Sequence, residues 1–170
     1  MLHVRPGVLD RRKGLLAGPV GVRCALGRSG VRPAALKREG DGKTPLGSWR
    51  VLELRYRPDR MIRPKTRIPV RPLRPSDGWC DDPRDGRYNR PVRLPVHASH
   101  ERMWRDDGLY DLVLVLDHND RPRIRGRGSA VFLHVARDGL EPTEGCVALP
   151  LAALRRVLAR LGPGARLRIG

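Results

Sequence analysis

The chain has few aromatic residues and no long apolar segment. Phe, Trp and Tyr together make up 4% of its 170 residues. Nucleic-acid recognition usually relies on stacking aromatics or on a clustered basic stripe, and here arginine is spread along the whole chain. No specific nucleic-acid partner is therefore expected. No apolar segment approaches the length of a transmembrane helix, so no membrane span is expected either.

Cysteine is scarce as well. Cys24, Cys80 and Cys146 are odd in number and form no CxxC pair, so a disulfide framework is not expected and at least one thiol should be free. His97 and His100 lie downstream of Cys80, but they lack the close Cys pair or Cys/His knuckle that zinc usually needs. The sequence therefore predicts no metal site.

The N-terminal part shows no export signal. Its most apolar segment, residues 15–22, is short, is broken by Gly18, Pro19 and Gly21, and has no small-residue cleavage pattern. If the chain is complete, we expect a cytoplasmic protein. If an export segment has been removed, we expect the periplasm or the cell wall.

Positive charge, in contrast, is abundant. The chain carries 35 basic and 18 acidic residues, a net charge of +17, and only four of the basic residues are lysines. Such a field favours anionic partners. One hypothesis is therefore a non-catalytic protein that binds an anionic polymer. The alternative is a solvated surface that reflects biased composition.

Composition and pattern predict a mainly β fold in a single domain over residues 1–170. Apolar residues make up 39% and charged residues 31%, and the scattered Gly and Pro residues argue against a helical bundle. An amphipathic helix is predicted after Cys146, with apolar residues from Leu151 to Leu161 and a stop at Gly162. Residues 38–47 have turn composition. Predicted strands cover residues 20–26, 49–56, 112–116, 129–135 and 166–169.

Residues 58–95 carry eight of the sixteen prolines, which a sheet interior cannot hold. We expect an irregular excursion with short edge strands. Long loops often serve as lids or binding segments. One hypothesis is therefore a lid whose Trp79, Tyr88 and Asn89 bind the substrate. The alternative is that Trp79 and Tyr88 only anchor the excursion to the body.

The strongest chemical signal lies between residues 129 and 150. An apolar run ends on His134, and Gly145 precedes Cys146 at the head of another apolar run. A thiolate nucleophile needs a neighbouring base, and a histidine on an adjacent strand supplies one. The N–H groups around Gly145 are candidates for binding an oxyanion. On spacing alone, a buried structural cysteine with a hydrogen-bonded core histidine remains the alternative.

Three segments in order resemble the L,D-transpeptidase catalytic domain of the YkuD type. DGKTPLGSWRVLE at 41–53 is similar to the family's T-P-x-G-x-[aromatic]-x-[aliphatic] pattern. FLH at 132–134 resembles the strand of the catalytic histidine, and TEGCVAL at 143–149 resembles the nucleophile motif. The resemblance implies a β-sandwich or other β-rich fold, with no cofactor, that acts on peptidoglycan stem peptides or soluble muropeptides.

The resemblance also implies residue roles. Cys146 is the nucleophile, His134 its base, Gly145 part of the nucleophile turn and Thr143 the hydroxyl residue before it. The reaction is attack on the bond between a diamino acid and D-alanine, through a thioacyl enzyme that an amine resolves. Hydrolysis of the same bond, an L,D-carboxypeptidase activity, is the alternative.

One position departs from the family pattern. Members often carry Arg two residues after the nucleophile, where this chain has Ala148. If that arginine binds a substrate carboxylate, another arginine must take its place, and Arg137, which is close in sequence, is a candidate. The sequence gives no prediction of the oligomeric state.

Overall fold

The computed structural model describes residues 1–18 and 21–170. Its regular structure is almost entirely strand, with two single-turn 3₁₀ segments at Ala34–Leu36 and Asp138–Leu140. The strands and the helix are, in chain order, β1 (Leu2–Pro6), β2 (Lys13–Ala17), β3 (Val22–Ala25), β4 (Val31–Pro33), β5 (Thr44–Tyr56), β6 (Val70–Pro72), β7 (Asp77–Cys80), β8 (Arg90–Arg93), β9 (His100–Arg102), β10 (Leu112–Leu116), β11 (Phe132–Val135), β12 (Val147–Leu149), α1 (Leu151–Leu158) and β13 (Arg166–Ile169).

Ten strands form one sheet whose hydrogen-bonded path closes on itself. The order β10-β11-β12-β3-β2-β1-β13-β5 returns to β10 because β5 is 13 residues long. The first part of β5 pairs with β13 over residues 47–50, and its second part pairs with β10 over residues 51–56. The predicted mainly β fold with one helix is confirmed. A β-sandwich would divide these strands between two separate layers. Here β5 pairs with both β13 and β10 and so joins them in one sheet.

Strand β10 is buried on both faces, which explains its unbroken apolar sequence. Leu112, Leu114 and Leu116 belong to the main core, where they meet residues of β5 and α1. Val113 and Val115 point to a second core that contains Phe132. The prediction of a central strand at residues 112–116 is confirmed, since β10 lies between β5 and β11.

The single α-helix packs its apolar stripe on the main core. Leu154, Val157 and Leu158 are buried, while Arg155 and Arg156 are exposed. The helix ends at Leu158, so the buried Leu161 follows in a turn. In the part of the chain that the structure describes, no helix has the length and apolarity needed to cross a membrane.

Three predicted boundaries need correction. The predicted turn at 38–47 ends early, since β5 begins at Thr44 and pairs there with β4. The predicted strand at 129–135 begins only at Phe132, because Ala130 has a φ of 52°, which no strand residue adopts. The strand predicted at 20–26 covers Val22–Ala25, and Val20 lies outside the described residues.

The proline-rich excursion contains short strands, as predicted. β6 pairs with β5 at the edge of the large sheet. β7 and β8 join β9 in a separate three-stranded sheet. Leu73 and Trp79 of the excursion belong to the second core, together with Phe132. The excursion is therefore packed on the body of the protein.

Replacing Leu114 with alanine should lower the free energy of unfolding by ~2–5 kcal/mol, because the side chain is fully buried in the main core. Urea unfolding would measure the change. Leu15→Ala is the matched control, since Leu15 is 44% exposed on a strand of the same sheet and should cost less than about 0.5 kcal/mol. Equal losses in the two variants would contradict this assignment of the core.

Candidate active site

Strands β11 and β12 bring the predicted nucleophile and base to one surface. They pair in parallel, with His134 opposite Ala148. Cys146 precedes Ala148 by two residues, and side chains two apart on extended backbone share a face. His134 and Cys146 both line a cavity of about 740 Å³. This volume is within the usual range for a binding site of a small ligand.

Two threonines hold the backbone of the nucleophile turn. The carbonyl oxygen of Cys146 accepts hydrogen bonds from Thr143 Oγ1 at 2.7 Å and from Thr44 Oγ1 at 3.2 Å. The Gly145 N–H donates to Thr143 Oγ1 at 3.1 Å. Gly145 has a φ of 141°, and a Cβ added there would lie 3.0 Å from the Lys43 carbonyl oxygen. The turn therefore requires glycine at this position.

The Cys146 thiol is buried and hydrogen-bonded to backbone. Its S–H donates to the Ala130 carbonyl oxygen at 3.1 Å, and its Sγ accepts from the Phe132 N–H at 3.3 Å. Burial, with a further contribution from nearby Glu101, raises the pKa of Cys146 to about 12, against the lowering effect of the Phe132 N–H. At neutral pH the Cys146 side chain is therefore a neutral thiol.

His134 is held as a neutral imidazole. Its Nδ1 lies 2.8 Å from the Val135 carbonyl oxygen, which can only accept. Nδ1 must therefore carry the proton, which leaves the lone pair on Nε2. Burial lowers the pKa of His134 to about 4. The Tyr110 ring packs edge-on against the imidazole, with centroids 5.3 Å apart, and fixes its orientation.

The proline-rich excursion helps to hold Cys146 in place through contacts with Ala130 and Phe132. Asn89 Oδ1 accepts hydrogen bonds from Trp79 Nε1 at 3.0 Å and from the Ala130 N–H at 3.2 Å. These contacts hold Ala130 in its left-handed conformation, and its carbonyl then receives the Cys146 thiol. Trp79 also packs edge-on against Phe132 at 5.1 Å. The excursion thus helps to fix the position of Cys146.

Trp79, Tyr88 and Asn89 do not line the cavity, contrary to the hypothesis that they bind the substrate. Their exposed fractions are 6%, 1% and 4%. Tyr88 reaches the cavity only indirectly, since its hydroxyl donates to Glu39 Oε2 at 2.5 Å. These contacts fit the alternative interpretation, in which the aromatic residues anchor the excursion to the body.

The chain also matches a known protein family. The family model of the YkuD L,D-transpeptidase catalytic domain matches residues 8–169. The chain belongs to the YkuD family. No curated protein and no solved structure matches it. The family's enzymes modify peptidoglycan, which makes the cavity around Cys146 the part of this YkuD domain where a substrate is to be sought.

One wall of the YkuD cavity is cationic. Arg105 and Arg137 both pair with Asp107, through Nη2–Oδ2 distances of 2.5 and 3.7 Å. Two guanidinium groups therefore share one carboxylate. Arg105 also lies over the Tyr110 ring, 5.3 Å from its centroid. Ala148, at the position of the frequent family arginine, lines the same cavity and contributes no charge.

Five carboxylates also line the cavity, and two of them, Glu141 and Glu144, pair with Arg137 and Arg28. The other three are those of Glu39, Asp81 and Glu101. In the described residues none of them forms a salt bridge, whereas most other carboxylates pair with arginine. Glu101 accepts a hydrogen bond from the Tyr110 hydroxyl, and Asp81 Oδ1 is buried without a partner. Burial raises the pKa of Glu101, and the charges of Asp81 and Glu39 add to this effect.

Several cavity residues carry little signal in the sequence. Lys37, Glu39 and Glu101 are far from Cys146 in the chain, and contacts between distant segments, including the three-stranded sheet that carries Glu101, bring them together. Glu101 follows residues 97–100, whose two histidines lack the partners that a zinc site needs. There His97 is exposed and His100 Nδ1 contacts the Ala98 carbonyl oxygen at 2.9 Å. In the described residues, no three potential metal ligands are grouped closely enough to hold an ion.

The buried histidines predict a loss of stability in mild acid. Burial lowers the pKa of both His118 and His134 to about 4, from an ordinary value of 6.5. Between pH 6.5 and 4 the unfolded chain binds more protons, so stability falls as the pH falls. From pH 7 to pH 5 we expect a loss of about 2 kcal/mol for each imidazole, measured by urea unfolding.

His118→Gln should remove about half of this pH dependence. His97→Gln is the matched control, because His97 is exposed and its replacement should leave the dependence unchanged. The same slope in wild type and His118→Gln would show that this imidazole is not held neutral by the fold.

Proposed function

We propose that this YkuD domain is an L,D-transpeptidase that uses Cys146 as its nucleophile and His134 as its base. The observation that supports it best is the pair of neutral groups that line one cavity, a buried thiol and an imidazole whose Nε2 is unprotonated. A neutral pair is suited to general-base catalysis, in which the proton moves as the nucleophile attacks.

In the first step, the Cys146 sulfur forms a bond to the carbonyl carbon between the diamino acid and D-alanine, and the thiol proton passes to His134 Nε2. The carbonyl electron pair moves to oxygen. When the intermediate collapses, the C–N bond breaks and His134 returns the proton to the departing amine of D-alanine. The product is a thioester on Cys146, and no oxidant or cofactor is needed.

In the second step, an amine acceptor is favoured over water. The carboxylates of Glu39, Asp81 and Glu101 face the cavity that contains Cys146 and have no basic partner in the described chain. An ammonium group would compensate their charge, and a carboxylate would accept its proton before attack on the thioester. The amine nitrogen then bonds to the thioester carbon, the C–S bond breaks, and a second amine proton passes through His134 to the Cys146 sulfur, which regenerates the thiol. Arg105 and Arg137, which share Asp107, are suited to a substrate carboxylate.

Incubation with a disaccharide tetrapeptide, followed by mass spectrometry, tests the function. Wild type should release D-alanine and form cross-linked dimers, and Cys146→Ala should form neither, because the thioester requires the sulfur. Cys80→Ala is the matched control, since Cys80 is a buried free cysteine outside the cavity and should leave activity within about twofold of wild type.

Tripeptide and D-alanine without dimers would instead establish the hydrolytic alternative. Turnover that survives in Cys146→Ala would overturn the proposed nucleophile.

Glu101→Gln tests the choice of acceptor. The amide keeps the shape and can still accept from the Tyr110 hydroxyl, but it cannot compensate an ammonium group. We expect the ratio of dimer to hydrolysed tripeptide to fall about tenfold, the effect of one lost charge interaction of moderate strength. Release of D-alanine should not slow, because Glu101 raises the pKa of the Cys146 thiol.

Asp138→Asn provides the control, since it removes an exposed carboxylate that lies outside the cavity. A product ratio that changes equally in both variants would argue against an amine site at Glu101.

A further inference from the structure

Lys37 is a lysine in an unusual place. Only 3% of its surface is exposed, and it lines the cavity that contains Cys146. We infer that Lys37 is a positioning residue of the active site, whose buried ammonium stabilises negative charge on Cys146 and on the intermediate that it forms. This inference rests on the proposed function of Cys146 and extends it to a residue outside the nucleophile and histidine motifs.

Gly128 leaves room for the lysine, and Gly145 lies next to its ammonium group. A Cβ added at Gly145 would lie 3.8 Å from Lys37 Nζ, so the ammonium lies beside the nucleophile turn. A Cβ added at Gly128 would lie 3.0 Å from Lys37 Cγ and 3.2 Å from its Cε. Both glycines have a positive φ, which is 94° at Gly128 and 141° at Gly145. The backbone therefore lets the side chain pass Gly128 and end next to Gly145.

The ammonium is held by two strong acceptors. Nζ donates to the Arg38 carbonyl oxygen at 2.8 Å and to Asp41 Oδ1 at 2.6 Å. An ammonium has three N–H groups, so one donor is left after these bonds. Asp41 is itself fixed, because its carboxylate accepts from the backbone N–H groups of Arg38 and Lys43. The position of the charge is thus set by the loop that precedes β5.

Negative charge on Cys146 needs a nearby positive charge, because the nucleophile turn offers it little other stabilisation. The Gly145 N–H, a candidate for the oxyanion site, already donates to Thr143 Oγ1. Around Cys146, the carboxylates of Glu101 and Glu144 disfavour the thiolate, His134 is neutral, and Lys37 is the cation that opposes them. In a cavity of low dielectric, a nearby ammonium acts more strongly on a developing anion than it would in water.

Alkylation of Cys146 by iodoacetamide at pH 8, followed at the peptide level, measures the thiolate directly. Lys37→Met removes the charge and keeps the length of the side chain. The alkylation rate should fall about tenfold, as expected when the thiol pKa rises by about one unit. Lys37→Arg keeps the charge and should remain within about threefold of wild type. Lys65→Met, which removes an exposed lysine outside the cavity, should not change the rate.

Lys37→Met leaves Asp41 without its partner, and such a variant can fail to fold. Lys37→Met/Asp41→Asn removes the pair together and replaces the single variant if thermal melting shows that Lys37→Met is unfolded. A folded charge-free variant that alkylates at the wild-type rate would overturn the inference. So would a folded Lys37→Arg variant that is as slow as the methionine variant, because charge would then not be the cause.

The tetrapeptide assay distinguishes a failure of this inference from a failure of the proposed function on which it rests. If Cys146→Ala is inactive while the charge-free Lys37 variant alkylates normally, only the role of Lys37 fails. If Cys146→Ala is active, the proposed nucleophile fails whatever the alkylation rates show.

Discussion

The parallel pairing of β11 with β12 is the constraint on which the site depends. Because side chains alternate along a strand, a shift of one residue would turn Cys146 away from the face that carries His134. Thr44 and Thr143 oppose such a shift, since both bind the Cys146 carbonyl oxygen. Thr44 belongs to β5, the strand that closes the sheet. Closure of the sheet and placement of the nucleophile are thus parts of one arrangement.

Burial gives this site its resting state. The thiol and the imidazole lie in the interior, where each is more stable as the neutral form. The thiol proton is bound to a backbone carbonyl, and the imidazole proton is bound to another. In the proposed reaction, charge would therefore develop only when a substrate carbonyl is attacked. In such a site, fixed donors and fixed charges determine how strongly the developing anion is stabilised.

The elements that the sequence predicts well are those whose signal is local. The apolar run of β10, the helical spacing of α1 and the final strand are readable because each repeats a short pattern. The start of β5 is not readable, since Pro45 and Gly47 have turn composition and become strand only through pairing with β4 and β13. Ala130 likewise takes a left-handed conformation that its residue type disfavours.

The candidate site also contains some residues that a local sequence pattern marks and others that it does not. The family pattern marks Cys146, His134, Gly145 and Thr143, and the structure places all four in the lining of one cavity, because adjacent strands bring them together. Lys37, Glu39 and Glu101 carry no local signal. Their relation to Cys146 arises from the closed sheet and from the small sheet of the excursion, which are contacts between distant segments.

The excess of arginine says less about function than the few carboxylates that lack arginine partners. Many arginines pair with an aspartate two residues away, as in Asp82–Arg84 and Asp85–Arg87. Such exposed pairs add little stability. In a chain with about twice as many basic as acidic residues, an unpaired carboxylate is uncommon, and three of them face the cavity of Cys146. A cavity with acidic and basic walls is complementary to a ligand that carries both ammonium and carboxylate groups, and a stem peptide with a diamino acid has both.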